Sequence, residues 1–160
     1  MNFVEKKNYA FTITIPPFKR VTLLEQYAAY KDLTTEQQKD YIRHVVSTAA
    51  YDIIEYYEIN FEYHKDSRVH AHGTIYAVSN DDLETFIDSV GTLIGVKTLK
   101  QKNTLCYCIP ILSSYAEYCW NNYKNKDNNI PLIGEKDAQA IEGDKSILDY
   151  SKYLFGKLNK

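Results

Sequence analysis

The chain has 160 residues, 44% of them hydrophobic and 25% charged, with a formal net charge of −2. That is enough chain for one domain with a real core, and the balance is that of a soluble globular protein. No apolar run approaches a membrane span, no signal-peptide pattern precedes the first apolar stretch, and three cysteines without a framework point to free thiols rather than a disulfide scaffold.

Taken in order, Asn8–Ile15 reads as a strand ended by Pro16-Pro17. Phe11, Ile13 and Ile15 then face the core, with Thr12 and Thr14 on the other side. Residues 18–33 read as a mixed loop with a short helix around Thr22–Tyr30. Thr34 or Thr35 caps a long helix to about Tyr57, whose buried stripe is Ile42, Val45, Val46, Ala49, Ile53 and Tyr56. A β-hairpin follows over 59–78. Ser79 or Asn80 caps a second helix, Asp81 to about Ile94, and Gly95 ends it. Val96–Lys100 and Leu105–Ile109 read as strands, with Cys106 and Cys108 sharing a core-facing side. Ser114 with Glu117 three residues on makes a capping box for a further helix. Ile130–Ile133 reads as a short strand, and Ile147–Leu158 as a C-terminal helix or linker. This order predicts an α+β fold, an antiparallel sheet with helices packed on one face and the helix that starts at Ser114 partly covering the other. Residues 1–136 form the domain and 137–160 a C-terminal helix or linker.

The hairpin carries the chemistry. In Val69-His70-Ala71-His72-Gly73-Thr74-Ile75-Tyr76, a period of two sends His70, His72, Thr74 and Tyr76 to one face. Val69, Ala71, Ile75 and Ala77 take the core side. Upstream, Ile59-Asn60-Phe61-Glu62-Tyr63-His64 alternates too, with Phe61 and Tyr63 apolar and Asn60, Glu62 and His64 on the polar side. Lys65-Asp66-Ser67-Arg68 is the polar turn. Across a short hairpin Glu62 lies opposite one of the two histidines. One carboxylate and two imidazoles then converge, a donor set that suits Mn²⁺ or Mg²⁺ as well as Zn²⁺. The bland alternative for the pair alone is two histidines on a partly exposed strand. His64 reads first as a solvated turn residue.

Downstream, Tyr115, Cys119 and Tyr123 recur every four residues on one side of the predicted helix, and Lys126 lies three beyond Tyr123. Tyr118 falls roughly 140° from Tyr123 at 3.6 residues per turn. With 15 tyrosines in the chain, ordinary aromatic packing is the bland alternative for any one of them.

These segments resemble a family. Glu62 through His72 is similar to the metal motif of the HUH endonucleases. More narrowly, it resembles the replication initiator (Rep) proteins of geminiviruses, circoviruses and related circular single-stranded DNA viruses. Tyr123-Lys124-Asn125-Lys126 matches their Tyr-x-x-Lys motif, and Phe11-Thr12-Ile13-Thr14-Ile15 looks like their first strand motif. The resemblance spans about residues 8–136. Two departures stand out. Thr14-Ile15-Pro16-Pro17 lacks the usual asparagine-rich ending of the first motif. Glu117-Tyr118-Cys119 resembles a circovirus-like arrangement but has Asn121 where lysine belongs, which keeps Tyr118 as a second candidate nucleophile.

The resemblance implies a ferredoxin-like or RRM-like HUH fold. It also implies a metal-dependent single-stranded DNA endonuclease and strand-transferase. Such an enzyme nicks a replication origin through a covalent 5′-phosphotyrosine link and so initiates rolling-circle replication. Glu62, His70 and His72 would hold the Mn²⁺ or Mg²⁺, with Tyr123 as nucleophile and Lys126 assisting. Expected partners are single-stranded DNA at an origin, in a stem-loop, and a C-terminal helicase domain outside this sequence, with no membrane. The expected location is inside the cell, in the host nucleus for a eukaryotic virus and otherwise in the cytoplasm. Two alternatives stay open: another HUH enzyme, a transposase or relaxase-like nickase, and a noncatalytic RRM-like nucleic-acid-binding module. The net acidity argues mildly against nucleic acid, since most DNA-binding domains are basic. Local clusters at Lys97, Lys100 and Lys102 and at Lys124 and Lys126 soften that objection.

Overall fold

The alternating runs at the N-terminus and around the two histidines become the centre of one sheet. A computed structural model describes residues 4–23, 26–63, 68–124 and 134–137. Strand β1 (Lys6–Ile13) lies between β5 (Val69–Ser79) and β6 (Cys106–Ile111). On its other side β5 pairs with β4 (Tyr56–Tyr63), and all of these pairings are antiparallel. The short β7 (Gly134–Asp137) joins β4 in parallel, so the order is β6-β1-β5-β4-β7. This is the expected α+β class, compatible with a ferredoxin-like fold.

Helices α1 (Thr35–Ala50) and α2 (Asn80–Ile94) cover one face of the sheet. Thr34 caps α1 through a reciprocal box with Gln37, and Ser79 caps α2 by accepting from Asp82 N. Gly95, at φ 97, closes α2 in the left-handed conformation that glycine tolerates. Under these helices lie Phe11, Ile13, Phe61, Ala71 and Ile75 together with Ile42, Val45, Val46 and Ala49, which form the main core. Cys106 joins that core, and Cys108 packs against it. Helix α4 (Ser114–Lys124) lies over the opposite face, where Ala116, Cys119 and Trp120 pack with Ala10.

Several local expectations are corrected. Helix α1 stops at Ala50, not Tyr57. Its apolar stripe does continue through Ile53 and Tyr56, but Asp52 adopts φ 65 just beyond the helix, a left-handed stop made without glycine. Tyr56 is exposed and opens β4 instead. Residues around Thr22–Tyr30 form not a helix but a two-stranded hairpin, β2 (Arg20–Leu23) with β3 (Gln26–Ala29), followed by a 3₁₀ turn at Tyr30–Asp32. The predicted strand Val96–Lys100 is replaced by α3 (Leu99–Leu105), started by a second capping box between Thr98 and Gln101. The cap of α4 is Ser113 rather than Ser114: its Oγ accepts from Ala116 N at 3.0 Å. Ala77 does not face the core. It sits exposed at φ 55 where the β1–β5 register shifts between Lys7 and Tyr9, and Val78 takes the buried place. The expectations for His64, Ile130–Ile133 and Ile147–Leu158 lie outside the described residues. Among the described residues no helix is long and apolar enough to cross a membrane.

Candidate metal centre

The register of the central hairpin builds the centre. Glu62 stands opposite His70, and Asn60 opposite His72. Directly opposed residues share a face, so Glu62, His70 and His72 all point to the α4 side. Glu62 Oε2 lies 2.7 Å from His72 Nε2 and 3.8 Å from His70 Nε2. The two imidazole Nε2 atoms are 3.2 Å apart. Ligands about 2.1 Å from one ion stand roughly 3.0–3.4 Å from each other in octahedral or tetrahedral arrangements. The His70–His72 separation falls in that range and the two Glu62 separations lie on either side of it, so this group of three could hold a metal ion.

The residues around the triad hold it in place. Thr12, across from His72 on β1, puts Oγ1 2.7 Å from His72 Nδ1. Liganding through Nε2 requires the proton on Nδ1, and Nδ1–H then donates a hydrogen bond to Thr12 Oγ1, which fixes the ring. The start of β5 is anchored at both backbone groups of Val69. Its amide donates to Gln38 Oε1 at 2.9 Å, and its carbonyl accepts from Tyr30 Oη at 2.6 Å. Tyr30 is fully buried in this role, and burial pushes its phenol far above the usual tyrosine range. His70 follows directly, so helix α1 and the 3₁₀ turn both position this candidate ligand. Farther along the same face Tyr76 is also pushed up, to about 12, first by burial and then by the nearby Glu58 carboxylate.

The triad is buried, with exposures of 1% for Glu62, 2% for His70 and 1% for His72. The expectation of a partly exposed polar strand is corrected on this point. What covers the face is α4. The Trp120 indole N–H donates to Gly73 O at 3.1 Å and to Thr74 Oγ1 at 3.0 Å, pinning the helix to β5. Gly73 permits close packing on both sides of the strand: a Cβ there would overlap the Glu58 carbonyl and the Phe11 ring. Tyr123 stacks on Trp120, rings 5.5 Å apart and 17° from parallel, and meets His72 edge-on with ring centroids 5.4 Å apart.

Thus the structure brings Glu62, His70, His72 and Tyr123 together. Tyr118 is 64% exposed, turned away from this cluster. Tyr115 is likewise exposed, so the buried stripe of α4 is Ala116, Cys119, Trp120 and Tyr123 rather than every fourth residue from Tyr115. Lys126 lies outside the described residues. Lys102 of the first lysine cluster is engaged with Asp88 on α2.

Two site residues escaped the sequence reading as participants. Trp120 carried a usable signal, three residues before Tyr123 on the same helix side. Asn60 carried only its parity with Glu62. It is 1% exposed, and neither Oδ1 nor Nδ2 has a hydrogen-bond partner among the described residues. An orphaned buried polar group costs about 1–3 kcal/mol, so this amide stands out. Compared with known proteins, the chain matches no family model, no curated protein and no solved structure.

Proposed function

We propose that this domain is a metal-dependent single-stranded DNA endonuclease and strand-transferase of the HUH type, acting at a replication origin. The observation that carries the reading is the Tyr123 ring beside His72, at the edge of a buried Glu62-His70-His72 triad. A tyrosine, two histidines and a carboxylate from three separate elements meet there. That combination is what phosphodiester transesterification by a phenol requires.

A divalent cation held by Glu62, His70 and His72 would supply charge stabilisation at a non-bridging phosphate oxygen. The chain's own residues do the rest. Tyr123 Oη attacks phosphorus; the Oη–P bond forms as the P–O3′ bond breaks. The phenolic proton leaves, and the departing oxygen becomes a free 3′-hydroxyl. A phenol is a weak nucleophile at neutral pH, so a nearby cation must help, and Lys126 is the candidate from the Tyr-x-x-Lys match. Trp120 holds the Tyr123 ring in place by stacking. Water takes no part, so the phosphotyrosine ester keeps the bond energy and a later 3′-hydroxyl can reverse the step.

The test is incubation with a pool of single-stranded oligonucleotides and Mn²⁺, followed by a denaturing gel. A shifted protein–DNA band that disappears with chelator is the expected result. Unchanged cleavage by a folded His70→Ala/His72→Ala variant sinks the metal assignment. Absence of any adduct, with tight binding retained, favours the noncatalytic nucleic-acid module.

A further inference from the structure

We propose that Asn60 is a further donor of the metal centre, holding a water bound to the ion that Glu62, His70 and His72 ligate. The inference rests on the metal reading of that site. Asn60 is directly opposite His72 in the β4–β5 register and two residues from Glu62 on the same face. Opposed side chains stand about 5 Å apart at Cβ, so the amide borders the imidazole whose Nε2 completes the triad. Neither end of that amide has a hydrogen-bond partner among the described residues, although the side chain is almost wholly out of water.

A buried carboxamide with nothing to bond is rare, and an ion or ordered water is an ordinary reason for one. Here both fit. Three protein ligands leave three positions on a six-coordinate ion, and hard divalent cations keep water in such positions. Oδ1 accepts from one of these waters. Nδ2 can donate to a second water of the same shell. The neutral, oxygen-bearing side chain thereby biases the centre toward a hydrated Mn²⁺ or Mg²⁺ over a closed tetrahedral ion.

The experiment titrates the full chain with Mn²⁺ alone, reading free hexaaqua Mn²⁺ by electron paramagnetic resonance, with thermal melts of the metal-free and loaded protein in parallel. Asn60→Leu keeps the shape and removes both polar ends. It is expected to weaken Mn²⁺ binding 10–100-fold, the range seen when residues around metal ligands are changed, while the metal-free melt does not fall. Equal Mn²⁺ affinity in Asn60→Leu and the unsubstituted protein overturns the inference and leaves the metal reading standing. An unsubstituted protein that binds no Mn²⁺ overturns both. Should Asn60→Leu fail to fold, Asn60→Asp decides. A carboxylate beside Glu62 repels in the metal-free protein and attracts the ion, so Mn²⁺ should raise its melting temperature more than it raises that of the unsubstituted protein. An equal or smaller rise places Asn60 away from the ion.

Discussion

On the α1/α2 face of the sheet, Phe11, Ile13, Phe61, Ala71 and Ile75 are buried among apolar side chains. On the α4 face their immediate chain neighbours Thr12, Glu62, His70 and His72 are about as buried, and they are polar. The same strands make both faces, so alternation rather than exposure separates them. Each fully buried Phe or Ile on the first face contributes about 1.5–3 kcal/mol. On the second face burial costs free energy unless each polar group finds a partner. His72 finds Thr12 and Glu62; Asn60 finds none among the described residues. One face makes the fold stable, and the other is kept polar at the expense of stability. The comparison can be broken by substitutions that move function without stability, or stability without function.

The largest expected effect is at Tyr123. Tyr123→Phe removes one oxygen and keeps the ring that stacks on Trp120. Adduct formation should be abolished, while unfolding in urea changes by less than about 1 kcal/mol. Mass spectrometry of an adduct trapped on the unsubstituted protein should place the nucleotide on the peptide containing Tyr123. A label on the exposed Tyr118 would move the chemistry off the α4 face and break the comparison.

Next is the opposite case. Phe11→Ala empties a fully buried site under α2, where its ring packs on Phe86. It should cost about 3–5 kcal/mol in urea unfolding. Mn²⁺ affinity of the molecules that remain folded should not change. A matching loss of metal affinity would show that the two faces are not separable through β1.

How far the sequence discloses the two faces follows from the same alternation. That Glu62 shares a face with His70 and His72 was legible because a period of two has only two phases; which histidine it opposes was left open by the hairpin length, and the structure pairs it with His70. Thr34, Ser79 and Gly95 announced their helix ends through side-chain oxygens or a missing Cβ. Legibility failed where those signals were absent. Asp52 stops α1 in a glycine-like conformation, which composition does not reveal. Leu23-Leu24-Glu25-Gln26 carries good helix formers and no turn residue, yet Arg20–Leu23 and Gln26–Ala29 pair as the antiparallel strands β2 and β3. Thr98 and Gln101 form a capping box, a helix signal present in the sequence although Val96–Lys100 reads as a strand. Partial cover of the candidate metal triad by the tyrosine helix was legible, but its near-complete burial was not. That burial depends on Trp120 reaching across to Gly73 and Thr74, more than forty positions away in the chain.

Trp120 supplies a smaller test. Trp120→Phe keeps an aromatic ring beside Tyr123 but loses the N–H that reaches Gly73 O and Thr74 Oγ1. The stability loss should be about 1–2 kcal/mol, the value of the hydrogen bond plus an acceptor left unpaired. The rate of adduct formation should fall without vanishing, since the stacked pair itself contributes only about 0.5–1.5 kcal/mol. A rate equal to that of the unsubstituted protein would mean that Tyr123 orients itself without Trp120.

The smallest effects come from two helix caps of the same chemistry, one on each face. Thr34 Oγ1 accepts from Gln37 N at the start of α1, and Ser113 Oγ accepts from Ala116 N at the start of α4. Replacing either with alanine should cost its helix about 0.5–2 kcal/mol. The consequences should differ because the helices are anchored differently. Helix α1 runs 16 residues and buries Ile42, Val45, Val46 and Ala49 in the main core. It cannot fray without opening that core, so Thr34→Ala should lower global stability by the full amount and leave adduct formation unchanged. Helix α4 runs 11 residues and buries only Ala116, Cys119 and Trp120 among its apolar side chains. Its first turn can open while the sheet stays intact. Ser113→Ala should therefore show as faster amide hydrogen exchange over residues 114–117, a smaller global loss than Thr34→Ala, and slower adduct formation as α4 loosens over the triad. If both variants lost global stability equally and neither slowed the reaction, α4 would be as much a part of the core as α1. The division of labour between the two faces would then fail.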